Sequence, residues 1–253
     1  MAANKIFIEK SQYDERILII NIDRPGRLNA FNYELLIDLK KVVEDIGLNP
    51  NVQSVIFMST TLKAFSAGID VNYVKGIGKD EEVADFFYEL ADLFERIMQL
   101  PVTTIAAING YAFGAGADLA LACDIRIANE QASFRFPGPQ FGVVLGTQRL
   151  IQEVGSSKAR HLILFNKLVH SEDALSYGIV HEVVSNINCF ERAEQLALQL
   201  LEMPLTTETT IRSLCRFTVE KMMECDAREY AKESIMAVDF QKTFESYEKR
   251  MRK

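Results

Sequence analysis

The stretch NGYAFGAGADLALACD, residues Asn109 to Asp124, decides how this chain is read. Three glycines sit among five alanines, and only Asp118 and Asp124 carry charge. The β-branched run Thr103 to Ile108 leads into it, and Ala117 to Cys123 follow as a nearly all-apolar segment, so the order is strand, tight turn, buried helix. Small residues at such a turn let another group approach the backbone closely, and the first N–H groups of a helix have no partner of their own. With the helix dipole adding about half a positive charge, that end favours an anion or a developing oxyanion. Taken alone, Gly114-Ala115-Gly116 reads more readily as close helix packing.

Working outward, short β-type runs at Ile17 to Ile22, Val55 to Met58, Thr103 to Ile108 and Ile125 to Ala128 alternate with helical patterns. Between the first two, Leu35, Leu36, Leu39, Val42, Val43 and Ile46 recur at helical spacing over Asn32 to Gly47. A second helix is predicted over Val83 to Met98, ending before Pro101. The alternation predicts an α/β fold with helix-covered sheets. From Cys189 onward only helical patterns remain: Glu194 to Leu201, Thr207 to Cys225 and Ala227 to Arg250. The expected organisation is a core over 1–190 and a helical C-terminal region over 191–253. The last stretch sets Tyr230, Ile235, Val238, Phe244, Tyr247 and Met251 roughly on one stripe, which needs an oligomer contact or a core to cover.

Composition narrows the class. At 253 residues, 48% hydrophobic and 25% charged, the chain reads as an ordinary globular protein that buries a full core. A formal net charge of -7 argues against a nucleic-acid partner bound by phosphate neutralisation, although Lys249 to Lys253 form a local basic patch. Four cysteines without CxxC pairing and three scattered histidines give no metal signature and point to a reducing compartment. The first 24 residues break every apolar run with a charge, so no signal-peptide core is read, and no run is long enough for a membrane span. The expectation is a cytoplasmic protein.

A second segment gives the first its meaning. KAFSAGID, Lys63 to Asp70, follows the Val55 to Met58 run and again places small residues after a strand. Two backbone N–H groups from separate turns converging on one carbonyl oxygen form an oxyanion hole, each donor worth roughly 3 kcal/mol in a transition state. The pair KAFSAGID and NGYAFGAGADLALACDIRIA, with INIDRPGRLNAFN before them and LGTQRL and SEDALSYGIVHEVV after, resembles the crotonase (enoyl-CoA hydratase/isomerase) superfamily over nearly the whole chain. The resemblance implies a spiral of ββα units, a C-terminal helical region used in assembly as a homotrimer or dimer of trimers, and an acyl-CoA thioester substrate. It implies no cofactor, since CoA is part of the substrate. By the same resemblance Ile69 and Ala115 give the two amides. Ala64, Phe65 and Ala67 hold the adenine end of CoA through backbone groups, and Arg27 and Lys249 stand where cations meet the CoA phosphates. Tyr73, Phe136 and Gly138 fall to the acyl pocket, with Phe86 and Phe87 beside them.

The chain departs from the family where acid/base chemistry is done. Hydratases of the family use two glutamates around one water. The first position is Asp118 here, and the second falls on Gly138 within Phe134 to Gly142. No Asp or Glu lies between Glu130 and Glu153. Burial should raise the proton affinity of Asp118 and the helix N-terminus should lower it. Three accounts fit: isomerase-like proton transfer by Asp118 alone, a naphthoate-synthase-like lyase with a bound anion as base, and a catalytically degenerate acyl-CoA-binding paralogue. The residues favour the first; Phe136 is apolar where a bound anion would want a donor, which counts against the second. Ser66 lacks a histidine partner for a triad, and Gly76 to Asp80 lacks the full spacing of a phosphate loop.

Overall fold

The computed structural model describes residues 5–185, 189–222 and 226–251. The end of the helix expected to reach Cys225, and the last two cations of the basic patch, Arg252 and Lys253, lie outside them. The chain builds two sheets. One runs in the order β1 (Lys5–Lys10), β2 (Ile17–Asp23), β3 (Ser54–Ser59), β5 (Thr103–Ile108), β7 (Ile125–Asn129) and β10 (Glu182–Val184), parallel except between β1 and β2. The other runs β4 (Ala64–Ser66), β6 (Tyr111–Phe113), β8 (Ser133–Arg135) and β9 (Val169–His170). Strands β3, β5 and β7 each hand the chain directly to a strand of the smaller sheet, so successive turns of the spiral bring β4, β6 and β8 side by side.

The apolar runs are continuous because the larger sheet is buried on both faces. Side chains alternate: Val55, Phe57, Ala106, Ile108 and Ala128 join the main core, while Ile17, Ile56, Ile105 and Ile127 pack on the opposite face against Cys189, Ala193 and Ala197 of α8 (Cys189–Leu200). The main core is closed by α1 (Tyr33–Gly47), α3 (Asp80–Met98) and α4 (Ala115–Ala122). The stripe read for α1 is buried throughout, and Asn32 caps it by accepting the Leu35 amide at 3.0 Å. Helix α3 begins at Asp80, earlier than its apolar pattern, because Asp80, Glu81 and Glu82 suit the positive end of the dipole. Short helices α2 (Val71–Gly76), α5 (Thr147–Val154), α6 (Ser156–Leu164) and α7 (Ser171–Tyr177) link these elements. Among the described residues no helix is long and apolar enough to cross a membrane.

The C-terminal region adds α9 (Leu205–Met222), α10 (Ala227–Met236) and α11 (Phe240–Met251). The single helix expected from Ala227 to Arg250 is therefore two. Asp239 starts the second by accepting the Lys242 amide at 3.0 Å, and Val238 at the break packs where a side chain on Gly142 would stand. The expected single stripe divides accordingly: Ile235 and Phe244 are buried and Tyr247 partly so, while Tyr230 and Met251 are about half exposed. Helix α10 lies on α3, and α11 lies over residues Gly138–Phe141 of the same chain.

A tight backbone approach joins α4 to β4. A Cβ on Gly116 would overlap the Ser66 carbonyl oxygen, so only glycine lets the first turn of α4 rest on that strand. Gly116→Ala should lower stability by about 1–3 kcal/mol, the usual cost of forcing extra volume into a packed interior. Denaturant unfolding measures it, and an unchanged midpoint would contradict the close approach.

Candidate active site

Segment 28–31 fixes the first turn. Leu28 and Asn29 take left-handed backbone angles, at φ 49° and 56°, and this bend lays the segment along the chain after β4. The Ala67 amide donates to the Leu28 carbonyl at 2.9 Å, Phe31 donates to Gly68 at 2.7 Å, and Asp70 donates to Phe31 at 2.7 Å. Because the flanking Gly68 carbonyl and Asp70 amide make these bonds, the Ile69 amide points to the other side, where no acceptor from the described residues meets it. Asp70 then caps α2 through the Asn72 and Tyr73 amides and pairs with Arg24 at 2.7 Å, which anchors the turn from below. Ser66 is part of the same brace, donating to the Asn29 carbonyl at 2.8 Å.

The second turn arrives from β6. Ala115 is the first residue of α4, so its amide has no acceptor within the helix. Gly68, at φ +96°, leaves room for this turn: a Cβ there would lie 2.7 Å from the Phe113 carbonyl oxygen and 3.6 Å from the Ala115 nitrogen. The Ile69 and Ala115 residues thus both line one cavity of about 230 Å³. Its wall is mainly apolar, with Phe87 from α3, Phe141 and Leu150 from the segment around α5, and Phe244 and Tyr247 from α11.

Asp118 stands one turn into α4, buried, and lines the same cavity. Its Oδ1 has no hydrogen-bond partner among the described residues. Burial pushes its carboxyl up to about 7, against the opposing pull of the Arg149 guanidinium. Of the two influences weighed from sequence, burial is the one that dominates, and the charge that opposes it is Arg149 from α5.

Not every residue singled out in the sequence reaches the cavity. Ala67, Ile69, Ala115, Asp118, Phe136 and Gly138 line it. Ala64 and Phe65 are buried within β4 beside it. Tyr73 does not line it, and neither does Phe86: the two rings pack edge to face at 5.2 Å on the outer side of α3, while Phe87, one residue on, faces in. Arg27 is exposed in the turn before α1, and Lys249 is exposed and 3.9 Å from Glu245 on its own helix. Arg135, Phe141, Tyr247 and Arg149 were not among the site residues expected from sequence. The aromatic pair on α11, Phe244 and Tyr247, belongs to the stripe read as needing an oligomer contact or a core to cover, and it covers the cavity.

Position 138 is closed to a side chain. A Cβ on Gly138 would lie 2.8 Å from the Val143 carbonyl oxygen, because the Val143 amide folds back to donate to the Gly138 carbonyl at 3.0 Å. Among the described residues, Asp118 is the one carboxylate that lines the cavity.

The family description Enoyl-CoA hydratase/isomerase matches residues 12–252. A short-chain-enoyl-CoA hydratase of Clostridium acetobutylicum is 30% identical over 229 residues, covering 89% of this chain and 85% of that one. The solved structure of DspI from Pseudomonas aeruginosa superposes with a TM-score of 0.80 at 31% identity, over 86% of this chain and 82% of that one. An enoyl-CoA hydratase/isomerase structure from Mycobacterium paratuberculosis gives a TM-score of 0.86 over 96% and 98% of the two chains at 21% identity, a likeness of fold.

The Asp118 carboxyl sets a pH dependence of stability. An unfolded Asp titrates near 3.9, whereas here the folded value is raised, so the folded state holds the proton more tightly and stability falls as pH rises from about 4 to about 7. Between pH 5 and pH 8 this group should remove about 2–3 kcal/mol of unfolding free energy. Asp118→Asn should flatten that decline by the same amount in urea titrations at the two pH values, and an equal decline in both proteins would contradict the burial-driven shift.

Proposed function

We propose that this chain, which belongs to the enoyl-CoA hydratase/isomerase family, moves a proton between two carbons of an enoyl-CoA thioester. The observation that carries this reading is that Asp118 is the one carboxylate among the described residues lining the cavity, while position 138, in the same lining, has no room for a second. Hydration needs one group to activate the water and another to manage the proton on carbon, whereas a 1,3-shift needs one base that reaches both carbons.

In this reading the thioester oxygen sits between the Ile69 and Ala115 amides. Asp118 as carboxylate takes a proton from the carbon next to the thioester carbonyl. The C–H bond breaks, an O–H bond forms on the carboxyl, and the electron pair delocalises onto the thioester oxygen as an enolate. Both amides and the N-terminal end of α4 stabilise that charge. The carboxyl returns the same proton two carbons further along, the double bond shifts into conjugation, and Asp118 is again ionised. A group titrating near 7 suits both halves of the cycle at neutral pH. An apolar acyl chain fits among Phe87, Phe141 and Phe244, and α11 covers it from the same chain. The ion pair between Lys75 on α2 and Glu248 on α11, together with the Gln241 amide bond to the Ile77 carbonyl at 3.1 Å, ties that cover to the first turn.

Assembly and location belong to the same proposal. Leu205, Ile211 and Leu214 are exposed on α9, which supports a homotrimer or a dimer of trimers built on that region. Cys123, Cys189 and Cys215 are free thiols, which supports a reducing cytoplasmic setting.

The test is a panel of 2-enoyl- and 3-enoyl-CoA substrates at high enzyme concentration, with and without bicarbonate. The expected result is 3-enoyl to 2-enoyl conversion independent of bicarbonate, with Asp118→Asn lowering kcat by about 10²–10⁴-fold and leaving thioester affinity within about threefold. Rapid formation of 3-hydroxyacyl-CoA, dependence on bicarbonate, or binding without any product would each replace this reading.

A further inference from the structure

Arg149 lies on the first full turn of α5 and is buried, yet its Nε and Nη2 have no hydrogen-bond partner among the described residues. Its guanidinium carbon stands 5.5 Å from the centroid of the Phe94 ring on α3, a stacking that suits a desolvated cation. The other side of the group looks toward Asp118. Gly146, the residue that caps α5 at φ +65°, marks the meeting point: a Cβ there would overlap Asp118 Oδ1 and lie 3.2 Å from Arg149 Nη2. The carboxylate and the guanidinium therefore flank one bare Cα at the wall of the cavity, and no hydrogen bond joins them.

A buried cation of this kind is stable only against a counter-charge. Two acidic groups face Arg149: Asp118 from α4 and Glu95 from α3. Glu95 is shared with Arg228, 3.3 Å away from α10, and has Asp226 and Asp92 nearby. Around Asp118 the accounting is simpler. Arg149 is the charge that acts on it, Arg135 from β8 and Tyr247 from α11 line the same cavity, and β4 and β6 bring no charged side chain.

We propose that Arg149 is the positioning residue for Asp118: it favours the ionised carboxylate inside an apolar cavity and keeps that carboxylate turned toward Gly146 and the substrate. The inference rests on the reading of Asp118 as the proton carrier, but its electrostatic part is testable without turnover. Phe94 holds the guanidinium from behind, Gly146 keeps a side chain from separating the two groups, and α5 and α4 set their spacing. Removing the charge would leave burial alone to act on Asp118 and would keep it protonated at neutral pH.

The test is NMR on the full-length enzyme, with ¹³C at the Asp carboxyl carbons and ¹⁵N at Arg Nε, Asp118→Asn serving for assignment. In the wild-type protein the Asp118 carbon and the Arg149 Nε should shift with one shared midpoint near 7, and the Arg149 signal should lose its pH dependence in Asp118→Asn. In Arg149→Met the Asp118 midpoint should rise by about one to three pH units, the range expected for loss of an opposite charge at this distance. The acidic limb of the kcat profile should rise with it while KM stays within about threefold, and Arg149→Lys should restore most of the shift. An Arg149 signal indifferent to Asp118 in the wild-type protein would overturn the proposal whether or not Arg149→Met folds, as would an unmoved Asp118 midpoint in that variant. Coupled titration in a protein whose kcat profile ignores it would uphold the Arg149–Asp118 pair and remove the proton-transfer role from Asp118.

Discussion

The contact on which the site depends is backbone against backbone: the first turn of α4 resting on the Ser66 carbonyl, possible because residue 116 has no Cβ. It fixes how far the Ala115 amide stands from the Gly68–Ile69 turn, and it fixes Asp118 one turn deeper. The turn beneath it is held as firmly. Segment 28–31 makes three main-chain bonds to residues 67–70, and Arg24 closes on Asp70 with its guanidinium. Amides aimed into a cavity by such bracing need no reorganisation when charge develops between them, which is what makes preorganised donors effective.

The same rigidity has a cost in charge. Asp118 and Arg149 are both buried, and atoms of each lack hydrogen bonds within the protein among the described residues. Replacing both with apolar groups would be expected to stabilise the fold. Their retention at one wall of the cavity follows the usual trade between stability and a tuned group. Covering the cavity with α11 from the same chain strengthens the effect, since excluding water raises the electrostatic influence of every fixed charge inside. The Val144 amide, donating to the Ser234 hydroxyl at 3.0 Å, locks α10 to the loop that closes position 138, so the closing of position 138 and the presence of the cover belong to one local packing arrangement.

Much of this was legible in the residues because it depends on local periodicity. The strands of the larger sheet are continuous apolar runs, and α1 carries a complete stripe with an Asn cap. The two small-residue turns were visible with the chemistry their amides allow. The smaller sheet was not, because β4, β6 and β8 are three residues each and too short to show alternation. The break at residues 237–239 was hidden by Val238, which fits helical spacing while packing as a wedge over Gly142. Tyr73, Phe86 and Phe87 read alike as pocket aromatics, yet Phe87 alone of the three lines the cavity: one residue of helix register, about 100°, separates it from Phe86, and an aromatic cluster does not disclose that difference. Arg149 gave no signal, since its role comes from α3, α4 and α5 meeting, and nothing in its neighbours along the chain encodes that meeting.

The central claim is that one carboxyl carries the proton from carbon to carbon in a cavity closed by α11. Isotope retention tests it most directly: a 3-enoyl-CoA deuterated at C2, turned over in ordinary water, and the 2-enoyl product analysed by mass spectrometry under single-turnover conditions. Asp118 acting alone behind that cover predicts a 2-enoyl product that retains part of its transferred deuterium at C4. Complete loss of the transferred label, with 3-hydroxyacyl-CoA as the main product, would contradict the account.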